Sequence, residues 1–175
     1  MERTEAARLA ETCGFSHYGF FPAEKLRFLQ EVRNMCAADK CQKYNKCWSC
    51  PPACGTLEEI REKSRDYSWG ILLQTTAELE DEYDGENMME AERLQKERFE
   101  TFCAALSGQE KDPYLPMGSG ACGICKECTW PDAPCRFPKR MVSSMEAYGL
   151  VVSEVCQLAE TPYYYGPLTD RKSVV

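Results

Sequence analysis

Histidine is almost missing from this sequence of 175 residues, in which His17 is the only example. Rieske centres and two-histidine metal sites need two histidines and are therefore excluded, and a histidine-based catalytic triad is nearly excluded, because we interpret His17 as a structural residue. The sequence also lacks a glycine-rich phosphate loop. Cys50 and Cys54 have the first spacing of a radical-SAM motif, but Leu57 occupies the third position. These absences exclude several enzyme classes and leave open whether the protein is an enzyme.

Long apolar runs and an excess of positive charge are also absent. No segment approaches the roughly 20 apolar residues of a membrane span, and the charged start MERTEAARLAETCGF does not resemble a secretory signal. The chain has 28 acidic and 21 basic residues, for a formal net charge of −7, which repels nucleic-acid phosphates and anionic lipids. We therefore expect a cytoplasmic protein that binds neither nucleic acid nor membrane, and the oligomeric state stays open.

Cysteine, in contrast, is abundant, with twelve residues in the chain. Such an excess indicates either disulfides in an oxidising compartment or thiolates bound to metal in a reducing one. The absence of a secretory signal, and a chain larger than most disulfide-dense secreted domains, favour metal. Nine of the cysteines lie in two segments, residues 36–54 and 122–135, which we call the first loop and the second loop.

The second loop contains the most specific motif of the sequence. Cys122, Cys125 and Cys128 form a C-x2-C-x2-C run, and Cys135 follows seven residues later. This run is typical of a four-iron cluster, because short spacers direct neighbouring sulfurs to one centre. In bacterial ferredoxins the fourth cysteine is closer and precedes a proline, whereas Cys135 precedes Arg136. Cys135 either completes the same cluster or reaches to another.

The first loop offers five cysteines, more than one tetrahedral centre uses. Cys47 and Cys50 form a C-x2-C pair, and Cys36 and Cys41 have half of the plant-type ferredoxin spacing. One cysteine is therefore spare, or two centres share them. The predicted metal ligands of this loop are Cys36, Cys41, Cys47, Cys50 and Cys54.

Zinc is the alternative to iron–sulfur, because paired C-x2-C hooks form four-cysteine zinc sites. The hooks of the two loops are farther apart in sequence than those of a zinc ribbon, and zinc does not use the third cysteine of the C-x2-C-x2-C run. Spacing and the softness of thiolate ligands therefore favour iron–sulfur clusters. Basic residues flank both loops and either stabilise a negatively charged cluster or are ordinary surface charges. They are Lys40, Lys43, Lys46, Arg136, Lys139 and Arg140.

The rest of the sequence predicts an α+β fold. Apolar residues at helical spacing predict helices, and short aromatic or aliphatic runs predict strands. The predicted helices span residues 3–13, 23–32, 57–66, 86–106 and 138–148. The predicted strands span 18–21, 69–76 and 150–152, and residues 114–117 are predicted to be extended.

Two helix ends have sequence signals. Thr56 and Glu59 form a capping box before the third predicted helix, and Gly149 is placed to end the fifth. We predict one metal-binding domain over residues 1–175. It has a small sheet, flanking helices, the two metal-ligand loops and ferredoxin-like elements.

Several segments together resemble a known family. They are Cys36-x4-Cys41-x2-Tyr44, Trp48-Ser49-Cys50-Pro51-Pro52-Ala53, the C-x2-C-x2-C run, Cys135-Arg136, and SMEAYG at 144–149. Over residues 32–165 the chain resembles the predicted metal-binding proteins grouped as domain of unknown function 2284. The resemblance implies metal binding without a settled activity.

The resemblance also implies seven ligands, namely Cys36, Cys41, Cys50, Cys122, Cys125, Cys128 and Cys135, and implies that Cys47 and Cys54 are local additions. Seven ligands are one short of two four-cysteine clusters. Cys54 or Cys47 supplies the eighth, or one iron stays open to a small ligand. The SMEAYG segment is expected to pack against a cluster.

Three functions are compatible with this sequence. The first is electron transfer through one or two four-iron clusters to a protein redox partner. The second is an iron–sulfur enzyme, or an enzyme accessory, with an incompletely ligated cluster. The third is a structural zinc protein or metal carrier. The first is preferred, with Cys36, Cys41, Cys50, Cys54, Cys122, Cys125, Cys128 and Cys135 as cluster ligands.

Overall fold

The structure is a computed structural model that describes residues 1–107 and 113–175. Its α-helices are α1 (Arg3–Thr12), α2 (Gln30–Ala37), α3 (Leu57–Ser64), α4 (Gly85–Ser107) and α5 (Val152–Leu158). Its strands are β1 (His17–Pro22), β2 (Trp69–Glu78), β3 (Met117–Gly118), β4 (Ser143–Ser144) and β5 (Thr169–Val174). Short 3-10 turns span Ala23–Lys25 and Glu146–Tyr148.

The main sheet has the antiparallel order β1-β2-β5, with β2 in the centre. Successive side chains of a strand point to opposite faces, and β2 is apolar on both. Ile71 and Leu73 pack with α1 and α4, whereas Leu72 packs on the other side with residues of α3 and α5. Helices therefore cover both faces of the sheet, and the α+β prediction is confirmed.

Most predicted elements are present with shifted ends. The predicted capping box exists, because the Thr56 hydroxyl accepts from the Glu59 backbone and the Glu59 carboxylate accepts from the Thr56 backbone. Gly149 has a left-handed conformation, as predicted for a C-cap, with φ of 81°. A Cβ there would lie 2.7 Å from the Leu29 carbonyl oxygen, so the close approach of the two segments also requires glycine.

The predicted helix over residues 23–32 is wrong. The chain makes only the 3-10 turn Ala23–Lys25, continues in extended form, and begins α2 at Gln30. Its backbone groups bond to other elements instead: Leu29 N–H donates to the Gly149 carbonyl at 2.8 Å, and the Phe28 carbonyl accepts from Arg61 at 2.6 Å. Tertiary hydrogen bonds therefore replace the predicted helical ones.

The predictions for residues 138–152 are also wrong. Ser143–Ser144 pair in parallel with Met117–Gly118, which prevents one continuous helix, and only Glu146–Tyr148 forms a 3-10 turn. The predicted strand at 150–152 is the approach to α5, whose Val155 and Cys156 are buried. Strand β5 was not predicted, because the charged triplet Asp170, Arg171 and Lys172 resembles a surface loop.

The two cysteine loops connect elements at one part of this framework. The first loop runs from α2 to α3, and the second lies between β3 and β4. Met117 joins β3 to the end of β5 by two backbone hydrogen bonds with Val175. All twelve cysteines lie within the described residues and are free thiols. In the same residues, no helix is long and apolar enough to cross a bilayer.

Candidate metal centre

The two ends of the first loop are attached to the same 3-10 turn, Glu146–Tyr148. The Cys36 thiol donates to the Glu146 carbonyl at 3.9 Å, and the Cys54 thiol donates to the Ala147 carbonyl at 3.8 Å. These long sulfur hydrogen bonds are individually weak, but they bring cysteines separated by 17 intervening residues to one short turn. The backbone of the SMEAYG segment therefore contacts the predicted ligands, and the Glu146 side chain is exposed.

Electrostatic coupling connects these two cysteines with others of the first loop. Burial raises the pKa of Cys36, and Cys41 raises it further. Burial also raises the pKa of Cys50 to about 12, with further contributions from Cys47 and Cys41. Burial raises the pKa of Cys54, to which Cys36 and Cys47 contribute. We call Cys36, Cys41, Cys50 and Cys54 the first set.

A buried arginine lies beside the first set. Arg33, on α2, is 9% exposed, and its Nη2 lies 3.7 Å from the Cys54 sulfur while also donating to the Gly55 carbonyl. Its Nη1 is buried and has no hydrogen-bond partner among the described residues. Arg33 opposes the burial-driven rise in pKa of both Cys36 and Cys54. A buried cation here favours negative charge on these sulfurs.

The cysteines of the second loop line one small cavity together with Cys47 of the first loop. We call Cys122, Cys125, Cys128 and Cys135 the second set. Burial raises the pKa of Cys122, and the neighbouring thiols of Cys135, Cys125 and Cys47 add to the effect. The fold therefore gathers the C-x2-C-x2-C run and the more distant Cys135 around the same space.

Ser49 joins the two sets. Its side chain is fully enclosed at 1% exposure, and its hydroxyl accepts a hydrogen bond from the Cys122 backbone N–H at 3.0 Å. The same oxygen lies 3.5 Å from the Cys47 sulfur and 3.9 Å from the Cys50 sulfur. Cys47 interacts with Cys50 and Cys54 of the first set and also lines the cavity of the second set.

Two tryptophans form contacts between the two loops near the protein surface. Trp48 Nε1–H donates to the Ala133 carbonyl at 3.1 Å, and Trp130 Nε1–H donates to the Asn45 carbonyl at 3.1 Å. The two rings meet edge to face with centroids 4.7 Å apart. Each loop thus gives an indole donor to the backbone of the other, and we call this reciprocal contact the tryptophan clasp.

The comparison with known proteins identifies the family. A family model described as a predicted metal-binding protein, domain of unknown function 2284, matches residues 19–175. The chain belongs to this family. The resemblance noted from the sequence is therefore confirmed, and the match extends beyond residues 32–165 at both ends. No curated protein and no solved structure matches the chain.

In this predicted metal-binding protein, the second set lines one cavity with Cys47, and the thiols of the first set influence one another's pKa. Within residues 1–107 and 113–175, no group of three or more histidine, cysteine, aspartate or glutamate residues is arranged so that it could hold a metal ion directly. The family identifies neither the metal nor the ligands. Ligation by these particular cysteines stays a prediction.

Four important residues of the site were missed by sequence reasoning, and one of them is Trp130 of the clasp. Arg33 belongs to α2 and precedes the first loop, while Ser49 and Trp48 stand among the cysteines without a metal-binding role of their own. The WSCPPA segment containing Ser49 and Trp48 contributed to the family resemblance, so a signal existed for these two. Arg33 had no signal, because an arginine in a helix is normally exposed.

Proposed function

We propose that this predicted metal-binding protein holds two four-iron clusters and transfers electrons to or from a protein redox partner. The first set would ligate one cluster and the second set the other, with Cys47 between them. When bound, such clusters supply one-electron chemistry at a potential set by charge, hydrogen bonds and solvent exposure. We also propose a cytoplasmic location, because that compartment keeps thiols reduced.

The observation that carries the proposal is that all four cysteines of the second set line one cavity, which also contacts Cys47 of the first loop. Thiolate is the protein ligand typical of iron–sulfur clusters, and the C-x2-C-x2-C run of the second set has their spacing. Zinc sites also use four thiolates but gain nothing from a third cysteine at this spacing. Adjacent clusters would favour passage of an electron from one to the other.

The surroundings of the first set fit a negatively charged centre. The guanidinium of Arg33 is withdrawn from water, lies next to Cys54, and keeps one N–H group unpaired within the described residues. An unpaired buried donor is costly unless a suitable acceptor is present. An anionic sulfur-rich cluster would supply that acceptor, which supports the assignment to these residues.

The experiment is anaerobic purification and reconstitution, followed by iron, sulfide and zinc analysis and visible absorption. We expect a brown protein with about eight irons per chain, as two cubane clusters require. Cys125→Ser should lose about half of the iron. Cys13→Ser is the matched control, because Cys13 is half-buried at the end of α1 and outside both sets. This variant should retain all of the iron.

Electron transfer is tested on the loaded protein by potentiometric titration. Reversible one-electron reduction supports the proposal. A spectrum that changes on adding a small ligand such as cyanide would favour the open-site enzyme instead. A colourless protein with stoichiometric zinc would overturn the iron–sulfur assignment.

A further inference from the structure

Charge is distributed very unevenly along this acidic chain. Residues 36–54 and 122–140 contain seven of its 21 basic residues but only three of its 28 acidic ones. These segments therefore carry four net positive charges, while the rest of the chain carries eleven net negative charges. The tryptophan clasp and Ser49 hold the two segments together, so their charges act as one region.

Part of this basic region surrounds a depression that reaches a predicted ligand. The depression is lined by Cys125, Lys126, Glu127, Arg136 and Phe137. Arg136 donates to the Glu127 backbone carbonyl at 2.8 Å, which fixes its guanidinium near the rim. Phe137 is 40% exposed, and the Arg140 guanidinium lies 5.6 Å from the centre of its ring. A ligand of the second set is thus accessible beneath a rim of cations and one aromatic ring.

The basic residues differ in how far their charge is already neutralised. Arg140 forms an ion pair with Glu100, and Lys46 forms one with Asp39 at 3.5 Å. Lys126, Arg136 and Lys139 are exposed and have no ion pair in the part of the chain that the structure describes. These three cations are available to a partner.

We propose that the surface formed by Lys126, Arg136, Phe137 and Lys139 is the docking site of an acidic electron-carrier protein. The proposal rests on the proposed function. Exposed arginine and aromatic side chains are enriched in protein interfaces, and complementary charge accelerates association of transient redox partners. A long nucleic acid would extend past this surface and meet the eleven net negative charges of the rest of the chain, whereas a small acidic protein can contact this surface alone.

If the second set holds a cluster, the reduced carrier would lose one electron and that cluster would gain it, with no bond formed or broken. A suitable probe is a purified acidic flavodoxin in its anionic hydroquinone form. It gives one electron to become the neutral semiquinone and transfers no proton.

The test measures the rate of cluster reduction by flavodoxin hydroquinone in stopped flow, with the anaerobically loaded full chain. For the native protein we expect the second-order rate constant to fall at least tenfold between about 0.02 and 0.5 M ionic strength, because salt screens opposite charges. The cationic reductant methyl viologen radical should give no such decrease. A flavodoxin rate that is independent of salt, or that rises with salt, overturns the proposal.

Charge variants test whether these particular basic residues cause the salt-dependent reduction rate. Arg136→Glu should slow reduction at low ionic strength by tenfold or more, and the milder double variant Lys126→Gln with Lys139→Gln should slow it severalfold. Lys25→Glu, a charge reversal at an exposed residue outside both loops, should change the rate less than twofold. If Lys25→Glu slows reduction as much as the loop variants, the docking site is wrong.

Iron content separates the two levels of inference. Native protein that binds no iron contradicts the proposed function itself. Native protein with intact clusters and a salt-independent rate contradicts only the docking site. If Arg136→Glu fails to load iron, the double variant Lys126→Gln with Lys139→Gln and the salt dependence of the native protein still test the docking site.

Discussion

Arg33 is the residue whose environment is most unusual for its type. If the first set holds a cluster, Arg33→Gln should lower the midpoint potential of one redox transition by about 60 mV, a tenfold change for one electron. The reason is that reduction adds negative charge, which a buried cation stabilises. Arg33→Lys should recover part of the shift, since it keeps the charge without the planar guanidinium.

The measurement for Arg33 is a redox titration followed by electron paramagnetic resonance. Arg27→Gln is the control, because Arg27 is exposed and pairs with Glu154 at 3.2 Å away from the cysteines. Equal potentials for native and Arg33→Gln would show that the guanidinium has no electrostatic role at the cluster.

Ser49 is the residue on which the contact between the loops depends most directly. Ser49→Ala leaves the Cys122 backbone N–H without its acceptor in a partly buried place. A buried unsatisfied donor costs about 1–3 kcal/mol, so the free energy of unfolding should fall by that amount. Denaturant unfolding of the metal-free protein under reducing conditions measures it.

Ser64→Ala is the matched control for Ser49→Ala. The Ser64 hydroxyl donates to the Arg61 carbonyl at 2.8 Å on the surface of α3, where water replaces the bond. We expect a change within about 0.5 kcal/mol for this control. If Ser49→Ala and Ser64→Ala lower the free energy of unfolding equally, Ser49 has no special role in joining the loops.

The first turn of α3 is an element whose stability the sequence predicts correctly. Thr56→Ala should cost about 1 kcal/mol at pH 7, as removal of an N-cap does. Hydrogen bonds from the Thr56 backbone and side chain lower the pKa of Glu59 from its ordinary 4.5. A lowered folded-state pKa adds stability above pH 4.5, and this stability is lost as the pH falls through the lowered value.

Thr56→Ala removes the side-chain part of this effect and keeps the Thr56 backbone hydrogen bond to Glu59, so its cost should become somewhat smaller as the pH falls below 4.5. Parallel unfolding curves at pH 7 and pH 4 measure the change, with Glu58→Gln on the same turn as the control. A Thr56→Ala cost that grows at acidic pH would contradict the capping-box interpretation.

The tryptophan clasp connects the first and second loops near the protein surface. Trp48→Phe and Trp130→Phe each remove one indole donor while keeping an aromatic ring. Each should lower the free energy of unfolding by about 0.5–1.5 kcal/mol, the net value of a hydrogen bond. The double variant should show coupling, because the rings touch each other.

Trp69→Phe is the control for the clasp, since Trp69 contacts Phe20 within the sheet and neither loop. It should leave the iron content unchanged, whereas the double clasp variant should lose iron more rapidly to a chelator. Strict additivity and unchanged iron release in the double variant would mean that the loops are held together by Ser49 alone.

The comparison of predicted and observed elements shows where local sequence is sufficient. Strand β2 and helix α3 were predicted because apolar runs and a capping box are local signals. The segment over residues 23–32 was mispredicted because Leu29 bonds to Gly149, more than a hundred residues away. Strand β5 was missed because its pairing with β2, and not its own charged sequence, makes it a strand.

At the scale of the whole molecule, cysteine spacing predicted that the thiols of the second loop lie together, and they line one cavity with Cys47. Which cysteines bind metal stays a prediction. The sequence could not indicate the guanidinium of Arg33 beside Cys54 or the clasp, because both depend on tertiary contacts between distant segments. The spacing of cysteines identifies candidate metal ligands, whereas the residues that surround these ligands become known only from the folded structure.

The two apolar cores contain no residue of either cysteine loop, and this separation has a consequence for metal removal. The cores are built around Leu72 and Leu73 of β2 by side chains of the helices and neighbouring strands. Small zinc-finger domains unfold without metal because metal binding supplies their folding energy. Here, buried apolar surface supplies it independently, so the metal-free protein should keep its sheet and helices.

Hydrogen exchange of the metal-free and loaded proteins, both anaerobic and reduced, measures this prediction. Amides of β2 and α4 should exchange at nearly equal rates in the two forms, whereas amides in residues 36–54 and 122–135 should exchange at least tenfold faster without metal. Between the unloaded loops, the hydrogen bonds that the structure describes are those of Ser49 and the clasp, so the loops should open locally while the cores stay closed. Fast exchange throughout β2 in the metal-free protein would mean that the loops and the cores unfold as one unit.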